Sequence, residues 1–241
     1  MKIVKPDQSS EASKKQQVEA MFDSIAEKYD FLNRFLSMGI DKGWRKKAIN
    51  ELKASQPKYI LDVATGTGDL ALEAIRLNPD KIVGLDLSEQ MLVKGREKIT
   101  AANLGSKIEM VKGDSENLPF DNDSFDAVTV AFGVRNFENL DTGLKEINRV
   151  MKTSAKLVVL EFSKPKVFPY KQLYNFYFTY ILPVWGNLLS KSSNAYTYLP
   201  ESVKHFPEGE EFASHLRLCG FKNIIAKPLT LGTCTLYVAE K

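Results

Sequence analysis

The chain has 241 residues, of which 44% are hydrophobic, so it is long enough to bury a sizeable core. Its 33 basic and 30 acidic residues leave a net charge of +3, which is too small to indicate nucleic acid as the main partner. The two cysteines, Cys219 and Cys234, show neither a CxxC spacing nor histidine partners, which argues against a metal site or a disulfide framework and favours a reducing, cytoplasmic setting.

The N-terminal region is predicted to be a polar tail followed by helices. Residues 1–14 lack apolar periodicity and the apolar segment of a signal peptide, so we expect a mobile tail. Beyond them, apolar residues recur at helical spacings of three and four. These residues are Val18, Phe22, Ile25, Tyr29 and Leu32. Asp41 is a candidate N-cap of a second helix that runs to about Leu52, and residues 15–56 together would form a helical cap.

The second predicted helix carries a basic face beside an aromatic residue. Trp44 is followed directly by Arg45, Lys46 and Lys47. A solvated face is one interpretation of these charges, and contact with a membrane surface or a substrate is the other.

A glycine-spaced turn follows the first predicted strand, residues 59–63, in which Asp62 stands near the end. Gly66 and Gly68 allow backbone amides to approach a ligand, because neither carries a Cβ atom. Thr67 lies between them, and a helical pattern begins directly afterwards. The stretch predicts a cofactor loop at a helix N-terminus, with a ligand-free turn as the alternative.

The charges around this turn bear on the identity of the cofactor. Gly66, Gly68 and Ala71 also match the loose dinucleotide fingerprint, so a nicotinamide-dependent oxidoreductase is the rival interpretation. Asp62 and Asp69 bracket the turn and would repel a pyrophosphate. S-adenosylmethionine carries no phosphate, and its ammonium group favours carboxylate or carbonyl acceptors. The sequence therefore favours S-adenosylmethionine.

The second predicted strand, residues 81–86, ends in a carboxylate. Asp86 stands twenty residues after Gly66, which is the spacing at which a carboxylate at this position reaches a ribose diol. An N-cap role is the alternative for Asp86, although Ser88 can cap the following helix.

A third predicted strand, residues 108–111, leads to Asp114 and Ser115. The carboxyl ends of successive strands surround one crevice in a doubly wound sheet. Asp114 could therefore accept a hydrogen bond from an adenine amino group while Ser115 supplies a backbone donor. The alternative is a turn aspartate that bonds its own backbone.

The fourth predicted strand, residues 125–131, is followed by Arg135 and Asn136. Arginine is seldom buried without a partner, so this pair just past a buried strand favours a substrate role at the reacting end of the crevice. A helix over residues 142–151 and an apolar fifth strand over residues 156–162 come next.

Residues 167–190 are dense in aromatic side chains but are interrupted too often by polar residues and proline to span a membrane. An amphipathic insertion over residues 167–207, which touches lipid or shelters a long apolar substrate, competes with a plain core helix. His205 is a candidate proton acceptor, although a lone histidine is more often structural.

A helix over residues 212–218 and strands over residues 222–225 and 233–239 close the predicted sheet, the last two as an antiparallel pair. No internal repeat or linker interrupts the chain, so residues 15–241 are expected to form a single domain.

With these motifs, the chain resembles the class I S-adenosylmethionine-dependent methyltransferases and, more narrowly, the quinone-biosynthesis C-methyltransferases. The resemblance runs from about Val18 to the C-terminus. It rests on Leu-Asp-Val-Ala-Thr-Gly-Thr-Gly-Asp at 61–69, Phe-Gly-Val-Arg-Asn at 132–136, Leu-Glu-Phe-Ser-Lys-Pro at 160–165 and Tyr-Leu-Pro-Glu-Ser at 198–202. The first stretch is general to methyltransferases, and the other three together are typical of the quinone group.

The chain departs from the family pattern at two places. Thr-Ser-Ala at 153–155 replaces the usual Pro-Gly-Gly, and Ala131 stands where serine is often found. Neither departure removes a group that the chemistry needs.

The resemblance implies an α/β, Rossmann-like fold with a seven-stranded, mostly parallel sheet and one antiparallel strand. It implies cofactor contacts at Thr67, Asp86, Asp114 and Ser115, and no metal. The implied acceptor is a demethylated prenyl quinol, most closely demethylmenaquinol in menaquinone biosynthesis, with a ubiquinone-pathway benzoquinol as the alternative.

Such a reaction requires alignment of the acceptor carbon with the methyl group and removal of a proton from the neighbouring hydroxyl. We expect Arg135 to stabilise the oxyanion, Asn136 to orient the ring oxygen, and Tyr29 or His205 to relay the proton. The aromatic stretch and the basic face beside Trp44 would then give a peripheral membrane contact. A noncatalytic cofactor-binding protein is a further alternative, against which the polar groups around Arg135 argue.

Overall fold

A single sheet organises the computed structural model of the chain, which describes residues 4–177, Tyr180 and residues 193–241. The strands in those ranges are β1 (Tyr59–Val63), β2 (Lys81–Asp86), β3 (Ile108–Lys112), β4 (Phe125–Ala131), β5 (Met151–Phe162), β6 (Lys222–Leu229) and β7 (Cys234–Glu240). They lie in the order β3-β2-β1-β4-β5-β7-β6.

Strand direction follows the predicted pattern. The pairs β1–β2, β1–β4, β2–β3 and β4–β5 are parallel. β7 runs antiparallel to both of its neighbours, β5 and β6. The prediction of seven strands with one antiparallel strand is therefore confirmed. The strand order reverses between β1 and β4, and ligands of open α/β sheets bind beside such a reversal, outside the carboxyl ends of the strands.

Helices cover the sheet and its carboxyl edge. Within the described ranges they are α1 (Lys14–Leu36), α2 (Ile40–Asn50), α3 (Asp69–Ala74), α4 (Glu89–Ala101), α5 (Leu140–Val150), α6 (Tyr170–Phe176), α7 (Ser193–His205) and α8 (Glu210–Leu218). Ser88 caps α4, as its sequence position indicated, since its side chain accepts a hydrogen bond from the amide of Met91.

The central strands are buried on both faces. Leu61 in β1, Val128 in β4 and Val159 in β5 are fully buried in one apolar cluster. This explains why the central strands read as apolar runs in the sequence. α1 belongs to a separate cluster, in which Ile25 packs with Met91 of α4 and Tyr198 of α7. α1 therefore lies across the carboxyl ends of the strands.

The prediction that Asp41 caps the second helix is wrong. The N-cap position is Gly39, whose φ of 74° is left-handed, and no side chain accepts a hydrogen bond there. Asp41 lies in the first turn instead, where it accepts a hydrogen bond from Ser37 Oγ at 2.7 Å and pairs with Arg45 at 2.8 Å. The helix start is set by the left-handed glycine and not by the carboxylate.

The basic face of α2 divides into two parts. Trp44 is buried and the Arg45 side chain is only 12% exposed, whereas Lys46 and Lys47 are exposed. The first two residues therefore belong to the interior, and the solvated interpretation holds for the two lysines.

The residues ahead of the predicted cap pack against it in part. Val4 is 8% exposed and joins the apolar cluster of α1. The helix begins at Lys14, before the first residue of the predicted apolar pattern. The division into a tail, a domain and an aromatic insertion stays a prediction.

The aromatic segment is described only in part. Phe178 and Trp185, which belong to the predicted insertion, lie outside the described residues. Apolar residues on either side of the start of α6 are exposed, among them Phe168 and Leu173. Among the described helices none is long and apolar enough to cross a membrane.

Candidate functional site

Two adjoining cavities lie under α1 at the carboxyl edge of the sheet. The smaller cavity has a volume of about 60 Å³ and is lined mainly by α1, by the ends of β2 and β4 and by the turns that follow β1, β2, β3 and β4. The larger cavity has a volume of about 420 Å³ and lies between α1, α2, α6 and α7. Phe22, Tyr29 and Phe132 line both cavities, so these three residues form the boundary between them.

The turn after β1 brings backbone amides to the smaller cavity. Gly66 has a φ of 57°, a left-handed conformation that glycine adopts without steric cost, and it lines the cavity. The amide of Thr65 donates to the carbonyl of Leu85 at 3.0 Å, which ties the turn to the end of β2. Gly133 allows the turn after β4 to pack closely against the turn after β1, because a Cβ atom on Gly133 would lie 2.5 Å from the Cβ of Ala64.

Asp62 supports this turn from below. It is 1% exposed, and its carboxylate accepts hydrogen bonds from Thr65 Oγ1 at 2.5 Å and Thr129 Oγ1 at 2.6 Å. Burial raises the pKa of the Asp62 carboxyl to about 6, against the effect of these hydrogen bonds. Asp62 does not line either cavity, so its geometry is that of a residue that shapes the loop.

Asp86 is the carboxylate that reaches the smaller cavity. Its Oδ2 accepts from the amide of Gly66 at 2.8 Å and its Oδ1 from the amide of Ser88 at 2.9 Å. Burial raises the pKa of Asp86, and the backbone donors oppose that shift. A carboxylate has about four acceptor sites, so Asp86 retains capacity for a further donor. Ser115, which is 7% exposed, lines the same cavity.

Three other residues predicted to touch a cofactor do not line the smaller cavity. Gly68 is the N-cap of α3, and Thr67 Oγ1 donates to Asp30 Oδ1 at 2.6 Å. Asp114 pairs with Lys15 at 2.5 Å and accepts the amide of Glu116 at 2.9 Å. These contacts hold loops in place, and the predicted cofactor contacts of all three residues stay predictions.

Polar contacts fasten α1 over the smaller cavity along its length. Asp23 accepts a hydrogen bond from Ser88 Oγ at 2.6 Å, beside the end of β2. Near the C-terminal end of α1, Lys98 of α4 donates to Asp30 at 2.8 Å and to Asp69 at 2.5 Å. The helix therefore forms the roof of the cavity.

The larger cavity is mainly apolar, and a deeply buried ion pair holds Arg135 in its wall. Arg135 is 8% exposed and Glu161 is 1% exposed, and Arg135 Nη1 lies 2.8 Å from Glu161 Oε1. Nη1 also donates to the carbonyl of Phe132, and the guanidinium carbon lies 5.4 Å from the ring centroid of Phe162. Within the described part of the chain, the buried Nε of Arg135 has no hydrogen-bond partner.

Asn136 turns to the other cavity. It lines the smaller cavity, and its Oδ1 accepts a hydrogen bond from Tyr198 Oη at 3.1 Å. Burial raises the pKa of Tyr198 to about 12, so the phenol stays protonated and donates at neutral pH. The predicted Arg135–Asn136 pair is therefore divided between the two cavities.

The two predicted proton-relay residues differ in position. Tyr29 lies at the boundary of the cavities, and burial raises its pKa, which favours a phenol that donates a hydrogen bond over one that accepts a proton. His205 lines neither cavity, and its Nδ1 lies 3.0 Å from the carbonyl of Glu201 in its own helix. The structure does not bring His205 to the other predicted site residues.

An aromatic cluster forms one wall of the larger cavity. The rings of Phe132 and Phe162 stack with centroids 4.5 Å apart, and Trp44 packs against both. Trp44 Nε1 donates to Thr230 Oγ1 at 2.8 Å. Phe132 has a φ of 57°, which is rare for a bulky residue and marks a constrained position.

The sequence reasoning assigned no role to Glu161, Lys14 or Tyr198. A carboxylate directly after the apolar run of a central strand was the signal for Glu161, because such a group needs a buried partner. Tyr198 belongs to the Tyr-Leu-Pro-Glu-Ser stretch at 198–202, which supported the resemblance but indicated no role for the phenol. Lys14 gave no signal in the sequence, since it lies among other polar residues.

The sheet order, the reversed seventh strand and the carboxylate at the end of β2 define the Rossmann-like class of the class I S-adenosylmethionine-dependent methyltransferases. In keeping with this fold, the structure of an S-adenosylmethionine-dependent methyltransferase from Aquifex aeolicus superposes with a TM-score of 0.55 at 18% identity, over 76% of this chain and 81% of that one. A likeness at this identity concerns the fold alone.

Sequence comparisons identify the family. The model of the ubiE/COQ5 methyltransferase family matches residues 10–241, and the chain belongs to that family. A demethylmenaquinone methyltransferase from Bacteroides fragilis is 49% identical over 97% of this chain and 96% of its own length. A protein from Geotalea daltonii named ubiquinone/menaquinone biosynthesis C-methyltransferase UbiE is 46% identical over 95% of this chain and 97% of its own length.

Proposed function

We propose that the protein transfers the methyl group of S-adenosylmethionine to a ring carbon of a demethylated prenyl quinol, with demethylmenaquinol as the acceptor. The observation that carries the proposal is the pair of adjoining cavities. One is small, built at the strand ends and edged by several carboxylates, and the other is large and apolar with a buried arginine. Among the described residues, Phe22, Tyr29 and Phe132 line both.

The residues of the smaller cavity fit S-adenosylmethionine. Asp86 can accept a further hydrogen bond from a ribose diol. Gly66 has no side chain, so a ligand can approach the backbone of its turn closely. The lining includes the carboxylates of Glu19, Asp86, Glu116 and Glu138, against the single cation of Lys15 among its described residues. This charge disfavours the pyrophosphate of a nicotinamide dinucleotide. When bound, the cofactor supplies a methyl group on a positively charged sulfur.

Arg135 is suited to the developing negative charge of the acceptor. Deprotonation of the ring hydroxyl makes the neighbouring carbon nucleophilic, and a donor that faces the oxygen stabilises this state. The unpaired Nε of Arg135 can serve as that donor, while Glu161 holds the guanidinium in place. Asn136 and Tyr29, at or beside the boundary, would orient the ring toward the methyl group.

The choice of demethylmenaquinol over a benzoquinol rests on two observations. The stacked wall of Phe132 and Phe162 with Trp44 offers a broad aromatic surface for a fused ring. The relative from Bacteroides fragilis carries the menaquinone name alone, whereas the relative from Geotalea daltonii carries both quinone names.

Exposed apolar residues at the larger cavity would contact the prenyl tail of the acceptor. Met38, Leu173 and Leu231 line the larger cavity and are 79%, 62% and 59% exposed. Exposed lysines, including Lys46 and Lys47, lie on the neighbouring helix α2. We propose that this surface approaches a membrane with anionic headgroups.

Co-sedimentation with anionic vesicles tests the membrane contact. Leu173→Asp should reduce binding, whereas Leu218→Asp, at a residue that is 75% exposed on α8, should leave binding unchanged. Equal vesicle binding by both variants and the wild type would contradict a membrane contact through α6.

The test of the proposed reaction is transfer of labelled methyl from S-adenosylmethionine to chemically reduced demethylmenaquinol and, in parallel, to a demethylated benzoquinol. Labelled naphthoquinol alone is the expected result, and labelling of both would indicate a shared enzyme. If neither quinol is labelled and NAD, but not S-adenosylmethionine, raises the melting temperature, the oxidoreductase alternative replaces the proposal.

A further inference from the structure

Lys14 is a buried lysine with an unusual set of partners. It is the first residue of α1 and is 2% exposed. Its Nζ donates to the carbonyl of Arg135 at 2.9 Å and to the carbonyl of Phe137 at 2.7 Å. Its backbone amide donates to Glu138 Oε1 at 2.9 Å. The two carbonyls bracket Asn136, so one side chain holds the backbone on both sides of that residue.

Burying this amino group is expensive. Burial and the neighbouring charge of Arg135 lower the pKa of Lys14 to about 8, while Glu116 and Glu138 act in the opposite direction. No carboxylate bonds to Nζ in the described part of the chain, and the hydrogen bonds made by Nζ go to the two carbonyls. Burial of the Lys14 ammonium group without a carboxylate partner is unfavourable, which indicates that its hydrogen bonds to the two carbonyls have a specific role.

Anchoring of α1 alone would not require Lys14. Other contacts fasten the same helix with partly exposed side chains, such as Glu19 with Lys112 at 2.8 Å and Asp23 with Ser88 Oγ at 2.6 Å. Lys14 differs from these contacts because, among the described residues, its ammonium group bonds only to the carbonyls of Arg135 and Phe137.

We propose that Lys14 is a positioning residue for this turn and that its ammonium group fixes the Arg135–Asn136 and Phe137–Glu138 peptide groups, one before and one after Asn136. With both carbonyls held, the Arg135 side chain faces the larger cavity and Asn136 faces the smaller one. Docking of α1 thereby sets the catalytic turn in its working geometry. The inference rests on the proposed methyl transfer for the roles of Arg135 and Asn136, although its central geometric claim does not.

The decisive variant is Lys14→Met, which keeps an apolar stem and removes the donors. We expect kcat for the quinol to fall by about 10- to 100-fold, because small displacements of reacting groups cost rates of this order. The dissociation constant of S-adenosylmethionine should stay within about twofold. Lys14→Arg, which keeps charge and donors, should recover most of the lost kcat. Lys112→Met, which removes another anchor of α1, is the matched control and should leave kcat unchanged.

A second readout does not depend on activity. In hydrogen exchange measured by mass spectrometry, peptides that cover residues 132–138 should exchange faster in Lys14→Met than in the wild type, while those of α1 beyond its first turn stay protected. Should Lys14→Met fail to fold, Lys14→Gln retains a shorter polar group and is expected to show the same split between kcat and cofactor binding.

Two results would overturn the inference. The first is an unchanged kcat with unchanged exchange in residues 132–138. The second is a loss of kcat that is matched by equal loss of cofactor binding and by faster exchange along all of α1, since Lys14 would then only anchor the helix. If the wild type methylates no quinol, the proposed function fails, and the exchange of residues 132–138 still decides the role of Lys14.

Discussion

The two cavities are built from the chain in different ways. The smaller cavity is made largely where β1, β2, β3 and β4 end, by residues such as Gly66, Asp86 and Ser115 that lie at a strand end or in the turn that follows it. The larger cavity gathers side chains from α1, α2, the turn after β4, β5, α6, α7 and the turn before β7. Under the proposed function, recognition of the cofactor therefore rests mainly on residues at strand ends, whereas recognition of the acceptor depends on the assembled fold. Substitutions should separate the two properties.

The largest separation is expected at Arg135. Replacing Arg135 alone would leave the Glu161 carboxylate buried and unpaired, which typically costs about 3 to 5 kcal/mol of stability. The double variant Arg135→Gln with Glu161→Gln removes the charge without this penalty. It should lose about 2 to 4 kcal/mol of transition-state stabilisation, measured as kcat/KM for the quinol. Binding of S-adenosylmethionine, measured by calorimetry, should be unchanged, and full turnover by the double variant would remove Arg135 from the mechanism.

Asp62 should reveal its structural role through pH. Its pKa is raised from 3.8 to about 6, so the folded chain binds the proton more tightly than the unfolded chain does. The stability that Asp62 contributes is therefore fully present below about pH 4 and is lost as the pH rises through about 6. The free energy of unfolding of the wild type, compared with Asp62→Asn, should fall by roughly 3 kcal/mol at most between these limits. Denaturant unfolding at both pH values measures it, and a constant difference would contradict the assignment.

Asp86 should affect only the smaller cavity. Asp86→Asn removes the charge that would hold a ribose diol, and charge-assisted hydrogen bonds contribute about 1.5 to 3 kcal/mol. We expect the dissociation constant of S-adenosylmethionine to rise by about 10- to 150-fold, with little change in the KM of the quinol. Asp80→Asn, at an exposed residue just before β2, is the control. Equal binding by Asp86→Asn and Asp80→Asn would exclude the ribose contact.

The smallest effect is expected at Trp44. Trp44→Phe removes the 2.8 Å hydrogen bond to Thr230, a contact of about 1 kcal/mol, and should raise the KM of the quinol by about fivefold. Thr230→Val should act in the same way, and the double variant should add little to either change. A weaker affinity for S-adenosylmethionine in these variants would contradict the assignment of Trp44 and Thr230 to quinol binding alone.

The sequence allowed prediction of the parts that local patterns determine. Strand β4 was predicted with its observed limits, because its apolar run begins after a polar turn and ends just before a glycine-containing turn. The spacing of Gly66 and Asp86 placed both residues at strand ends beside one crevice, and both line the smaller cavity. Their contacts with a cofactor stay predictions. A strand end and the turn after it are close in sequence, so a short motif contains most of the geometry.

Other features depend on contacts between distant segments. The pairing of Arg135 with Glu161 joins the turn after β4 to β5, and Tyr198 reaches Asn136 from α7. His205 illustrates the same limit, since its residue type suggested proton transfer whereas the fold leaves it beside Glu201 of its own helix. At Asp41 a local rule failed because a left-handed glycine starts the helix.

The position of α1 has a consequence for the kinetics of the enzyme. The helix covers the smaller cavity and supplies Met21, Phe22, Ile25 and Tyr29 to the wall of the larger one. If α1 moves to admit the cofactor, the acceptor loses part of its binding surface. We therefore expect a compulsory order in which S-adenosylmethionine binds before the quinol and the methylated quinol leaves before the demethylated cofactor. Product-inhibition patterns should show S-adenosylhomocysteine competing with S-adenosylmethionine but not with the quinol. The opening and closing of α1 would then set the order of events in each turnover.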